Sequence, residues 1–223
     1  MLALTTARWV LLRALRSPMA LIAAACAILA VPAMIQLSPW VSGHFHGPVD
    51  RLARVWLGPA GVLGCAFGLG ILAQGEVFLL RFGARDRFWG ILGGLVAPTL
   101  ATQALILLGA TLQGELHAQE LLGFALVLDL HLLAVGLLIW ALDLPPGGRL
   151  ALFLGIVWLL PGLLADGGFL GRGAAPLVAP ILSGESMGPF AAGAESALPW
   201  LLGQALFYVA AWLLLVPGKA PRA

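Results

Sequence analysis

Charge is what this sequence has least of. Of its 223 residues only 10% are Asp, Glu, Lys or Arg, while 61% are hydrophobic and the mean hydropathy is +1.01. Soluble domains carry about 25% charged residues. A chain this poor in charge cannot cover a water-facing surface, so its apolar side chains must face lipid as well as each other. The formal net charge of +2 excludes the clustered basic footprint of a nucleic-acid-binding domain. Cysteine is nearly missing too. Cys26 and Cys65 both fall inside apolar stretches and read as small packing residues, not as a disulfide or a metal pair. No G-x-x-x-x-G-K-[ST] sequence occurs, since Gly218-Lys219 has no glycine at the required position upstream. Any ATP-driven process involving this chain therefore needs its ATPase on another one.

What is present is a series of six apolar stretches, at 18–37, 55–73, 90–112, 120–142, 150–165 and 198–216. Most approach the roughly 20 residues needed to cross the hydrocarbon core; the fifth is short. Glycine and proline inside them are compatible with membrane helices. With the N-terminus inside, Arg8, Arg13, Arg16, Arg81, Arg85, Arg87, Arg149, Lys219 and Arg222 fall on the cytoplasmic side. Arg51, Arg54 and Arg172 fall outside, a bias of 9 to 3 that sets the orientation. Trp9, Trp89 and Trp140 fall near the inner boundaries and Trp40, Trp56 and Trp200 near the outer ones, as in an interfacial belt. Trp158 and Trp212 fall deeper, where a belt does not explain them. The expected fold is all-α: a multi-pass protein of the cell (inner) membrane with six transmembrane helices and both termini cytoplasmic. A second reading of the first stretch is a signal peptide cut near Ala30–Ala33.

The connecting segments carry more information than the spans. Residues 1–17 are cytoplasmic. Within 4–16, Thr5, Thr6, Arg8, Arg13 and Arg16 share one half of a helix, with Trp9 among them, and Ala7, Val10, Leu11 and Ala14 share the other. That pattern predicts an amphipathic helix on the inner membrane surface, the alternative being a plain basic flank. Ser17-Pro18 then restarts the chain as an N-cap and a first helical position. The cytoplasmic segment 74–89 interleaves Glu76, Arg81, Arg85, Asp86 and Arg87 with Phe78, Leu79, Leu80, Phe82, Phe88 and Trp89, which suits a short partner-docking helix better than a solvated loop. Residues 166–197 form a long extracytoplasmic segment. Its apolar part, 174–183, is broken by Pro176 and Pro180, and it reads as a re-entrant or interfacial hairpin. Residues 217–223 are a cytoplasmic tail. Gly64-x-x-x-Gly68, with Ala60 on the same face, reads as a close helix-packing seam.

Few residues offer chemistry. Gly184-Glu-Ser186-Met-Gly188 matches the nucleophile-elbow pattern but lacks the strand before it, and Pro189 follows. A rhomboid-type protease would need a serine within a span, and the chain lacks the family's G-x-S-G sequence. His44, His46 and His117 could gather on the outer side, though two histidines are fewer than a metal site uses. Asp129 and His131 lie near the middle of the fourth span, where an ionisable group is costly unless paired. At i and i+2 they point to different faces, so Gln103 in the third span is the candidate partner for Asp129. Asp129 and His131 form either a polar patch on a translocation path or subunit interface, or a buried site in which a protonated Asp129 is hydrogen-bonded to a neighbouring helix.

The order of a surface helix, six spans, a short helix between spans two and three, and a hairpin between spans five and six resembles the membrane (permease) subunit of type-2 ABC exporters. The matching parts are 4–16, 74–89 and 166–197, and the closest sequence likeness is Glu76, Leu79-Leu80 and Arg87-Phe88-Trp89. The family's common Gly-Thr-Leu-Glu run is missing. The resemblance implies a transport subunit without catalytic residues, paired with itself or a related permease. Its coupling loop, 74–89, would dock a separate ABC ATPase subunit through Glu76, Arg81, Arg85, Asp86 and Arg87, with ATP and magnesium held on that partner. Alternatives are an intramembrane enzyme using Asp129, His131 or the loop histidines, and a non-catalytic membrane scaffold.

Overall fold

The computed structural model describes residues 2–37, 49–112, 118–159 and 194–216. Among them every regular element is helical: α1 (Leu2–Leu15), α2 (Pro18–Leu37), α3 (Val49–Gln74), α4 (Glu76–Leu79), α5 (Ala84–Thr111), α6 (Ala118–Ala141), α7 (Pro146–Leu154) and α8 (Ala194–Leu215). The predicted hairpin, the tail, Ser186, and the histidines at 44, 46 and 117 lie outside the described residues. Prolines 32, 59 and 98 sit inside α2, α3 and α5 without ending them. The fifth apolar stretch is helical through 159, but α7 gives way to a single π-helical turn at Gly155–Leu159, the form in which π-helix usually occurs.

Glycine sets how closely the helices approach. α3 and α5 make the most extensive contact. A Cβ added to Gly64 would lie 2.6 Å from the Pro98 carbonyl oxygen, and one on Gly68 would lie 2.9 Å from that of Gly94. The small-residue pattern therefore packs inside the chain, where backbones can meet only because no side chain intervenes. Thr102 Oγ1 donates across the seam to the Ala60 carbonyl at 2.7 Å. Gly61 meets Gln103 while Gly68 meets Gly94, so α3 and α5 run antiparallel. Leu128 and Leu132 lie beside Gly61, and Gly136 lies beside Cys65, so α6 runs parallel to α3. Phe88, early in α5, meets Trp212, late in α8, edge to face at 4.8 Å between ring centroids. That contact accounts for one of the two tryptophans the belt did not explain. Successive long helices thus alternate in direction, and the ends of α3, α6 and α8 gather with the starts of α5 and α7.

α1 lies across that gathered end, which we call the base. Its backbone at Ala3 presses on Gly93, and Leu2 and Thr6 pack over Gly90. At its other end Arg13 donates to Gln74 Oε1 at 3.2 and 3.3 Å. A surface helix was expected here, and its expected apolar half does turn inward, with Val10 buried and Ala7, Leu11 and Ala14 half-buried. Thr6 is buried although it belongs to the polar half, and Leu4, Leu12 and Leu15 are exposed. Trp9 is half-buried with its ring against Gly75, not free at an interface. The glycines of α5 and the α3–α4 turn widen the contact, admitting Thr6 and Trp9 from the polar half. The Ser17 carbonyl accepts the first helical bond of α2 from Leu21 at 3.2 Å, as expected of an N-cap followed by proline at the first position.

Two helical segments, Trp56–Gln74 and Ala84–Thr111, are long and apolar enough to cross a membrane. Leu128–Ala141, Pro146–Val157 and Leu201–Leu215 are shorter apolar helices among the described residues. Large apolar side chains also line the outside, including Leu63, Leu100, Leu108, Leu126, Leu206 and Leu213. In water each would forfeit roughly 1.5–3 kcal/mol of burial, whereas lipid removes that penalty.

Candidate functional site

The chemistry concentrates in two places, the base of the bundle and its middle. At the base, α3 ends at Gln74, Gly75 turns, and α4 adds one helical turn before α5 begins at Ala84. Glu76 opens α4. On the far side of the sequence, Pro145 and Pro146 start α7, with the Pro145 carbonyl accepting from the Arg149 amide at 3.0 Å. Proline has no amide to satisfy there and a preset φ, so this is a natural helix start. One turn in, the Arg149 guanidinium grips Glu76 with two nearly parallel bonds, Nη1 to Oε2 at 3.1 Å and Nη2 to Oε1 at 3.0 Å. Its carbon sits 4.3 Å above the Trp140 ring, near the end of α6. The Arg149 side chain is 4% exposed and that of Glu76 34%. A bidentate guanidinium–carboxylate pair stacked on an aromatic face is a use for which lysine cannot substitute. One ion pair thus fastens α4 to α6 and α7.

The other residues expected to dock a partner divide around this anchor. Arg81, Arg85 and Asp86 are exposed, as are Phe78, Leu80 and Trp89. Leu79 and Phe88 are buried and secure the segment to the bundle. Arg87 is half-buried, lines a small cavity of about 40 Å³ with Glu76, Trp140 and Arg149, and has its Nε enclosed without a partner among the described residues. Glu76 therefore faces inward to Arg149, while the free charge of the segment lies at 81–86. Sequence reasoning counted Arg149 only toward charge bias. The pairing joins positions 73 apart, and its sole trace in the sequence is one acid and one arginine at two span ends on the same side. Trp140 likewise is buried under Arg149 and not at an interfacial belt.

In the middle of the bundle, Gln103 Nε2 donates to Asp129 Oδ1 at 2.8 Å, the partnership expected from the sequence. His131 turns the other way, to Gln204 on α8. Its Nδ1 lies 3.1 Å from Gln204 Oε1, and an amide oxygen only accepts, so Nδ1 carries the proton. Tyr208 donates to the Leu130 carbonyl at 3.1 Å. Asp129, His131, Gln103 and Gln204 are all buried. Two valences remain open, His131 Nε2 and Gln204 Nε2, which find no partner among the described residues. Asp129 and His131 serve different helices and do not form a dyad. Gln204 and Tyr208 were missed in the sequence. They stand four apart on α8, and that spacing on one helix face was the available signal. Comparison with family models, with curated proteins and with solved structures finds no match to this chain.

Proposed function

We propose that this chain is the permease subunit of an ATP-driven ABC exporter, set in the inner membrane with six crossings and both termini in the cytoplasm. A separate ATPase subunit, holding ATP and magnesium, docks on the base, and the chain pairs with a second copy or a related permease. The observation that carries the reading is the anchored α4. The segment formed by α4, the turn after it and the start of α5 presents Phe78, Leu80, Arg81, Arg85 and Asp86 outward. It is bolted by Glu76 and Arg149 to helices that lie remote in sequence. A docking element so fastened passes a push at its outer face to α6 and α7 together, where a loose loop would absorb it. The alternating helix directions and α1 lying across the base support the same layout.

The enzyme alternative draws less support, because Asp129 and His131 each spend their contacts on a neighbouring amide and do not converge on a common point. The test uses the chain co-reconstituted in proteoliposomes with an ATPase encoded beside it. Arg81→Glu with Arg85→Glu lowers ATP hydrolysis at least ten-fold on this reading while the chain still inserts. Unchanged hydrolysis removes the docking role of the segment.

A further inference from the structure

A cavity of about 800 Å³ lies between α1, α3 and α7, apart from the α4 anchor. Its rim at the base is polar and carries Arg13, Arg16 and Ser17, from the end of α1 and the turn into α2. Among the described residues no acidic one lines it. Arg13 spends two nitrogens on Gln74 and Arg16 is exposed. Away from the base the wall becomes apolar, with Gly70, Phe67 and Leu63 climbing α3 opposite Leu150 and Leu154 of α7. From residue 70 to residue 63 a helix rises about 10 Å. Positive charge at headgroup depth, continuous with an apolar wall of that height, is the shape of a phospholipid.

We propose that this cavity binds an anionic phospholipid of the inner leaflet, with its phosphate on Arg13 and Arg16 and an acyl chain along Leu63, Phe67 and Leu154. Basic pockets between helices on the cytoplasmic side bind such headgroups. A free phosphate ion would use the rim and have no need of the wall. The inference rests on the bilayer placement proposed above, but not on the ATPase. Carbonate extraction of membranes tests that placement separately, since a peripheral chain is released whatever it binds.

The experiment is native mass spectrometry of the full chain in neutral detergent, with phosphatidylglycerol or phosphatidylcholine added. Phosphatidylglycerol is retained preferentially, and Arg16→Gln lowers its retention about five-fold, the usual worth of one basic side chain at an anionic surface. Gly70→Leu lowers retention with both arginines intact. It should not lower thermal stability, because a Cβ there meets nothing within 4 Å and leucine is the better helix former. Equal retention of the two lipids overturns the proposal. So does retention that ignores both Arg16→Gln and Gly70→Leu, or displacement of the lipid by millimolar inorganic phosphate alone.

Discussion

The base and the middle of this bundle both bury polar side chains, and they do so to different standards. At the base, Arg149 finds two carboxylate oxygens and an aromatic face, and a third of Glu76 still touches the surroundings. In the middle, Gln103 satisfies Asp129 and Gln204 satisfies one nitrogen of His131. Among the described residues a nitrogen on each member of the second pair is left open, as Arg149 Nε is at the base, so the difference lies in charge and not in the count of open valences. The first arrangement is a fastening with charge on both sides. The second is a set of single hydrogen bonds between helices. Transmembrane bonds of that kind average about 0.6 kcal/mol, because the unfolded helices in lipid also find partners. The two regions should therefore respond unequally to mutation.

The largest effect falls on the anchor. Glu76→Ala leaves the Arg149 charge enclosed without its carboxylate and should cost about 3 kcal/mol, the low end of the range for breaking a buried pair, because Glu76 itself is one-third exposed. Thermal denaturation in detergent reads the loss, and exchanging the pair as Glu76→Arg with Arg149→Glu should recover part of it. A loss below that of any mid-bundle variant would break the comparison. Next comes Gln103→Leu, which strips Asp129 of its donor and should cost about 1–2 kcal/mol. The smallest is Gln204→Met, which removes one hydrogen bond together with an amide nitrogen that had no partner, and should change stability by no more than about 0.6 kcal/mol. Should Gln204→Met cost as much as Glu76→Ala, the middle is a tight network and not a set of loose pairs.

Much of this arrangement was legible in the sequence, and its limits are physical. Apolar runs and the Ser17-Pro18 start mark the helices well, because length and capping are local properties. Gln103 and Asp129 were recognisable as partners because polar residues in apolar runs have few alternatives. Arg149 escaped because a charge at a span end already has an explanation in topology, and nothing local says that it turns inward to a carboxylate. Trp9 and Trp140 were read only as boundary residues, and their packing against Gly75 and under Arg149 had no local signal. The wider buried face of α1 depended on Gly90 and Gly93, more than 80 residues away, whose missing side chains admit Thr6 and the backbone at Ala3. The six crossings and the transport role stand as the proposal stated above.

The central claim is that the exposed side of the anchored α4 receives a separate ATPase. Affinity purification of the full chain from its own membranes, followed by mass spectrometry, tests it most directly. The account predicts a co-purifying chain with a G-x-x-x-x-G-K-[ST] sequence, lost when Arg81→Glu and Arg85→Glu are combined. Recovery of no such chain, or its undiminished recovery with the double variant, would contradict it.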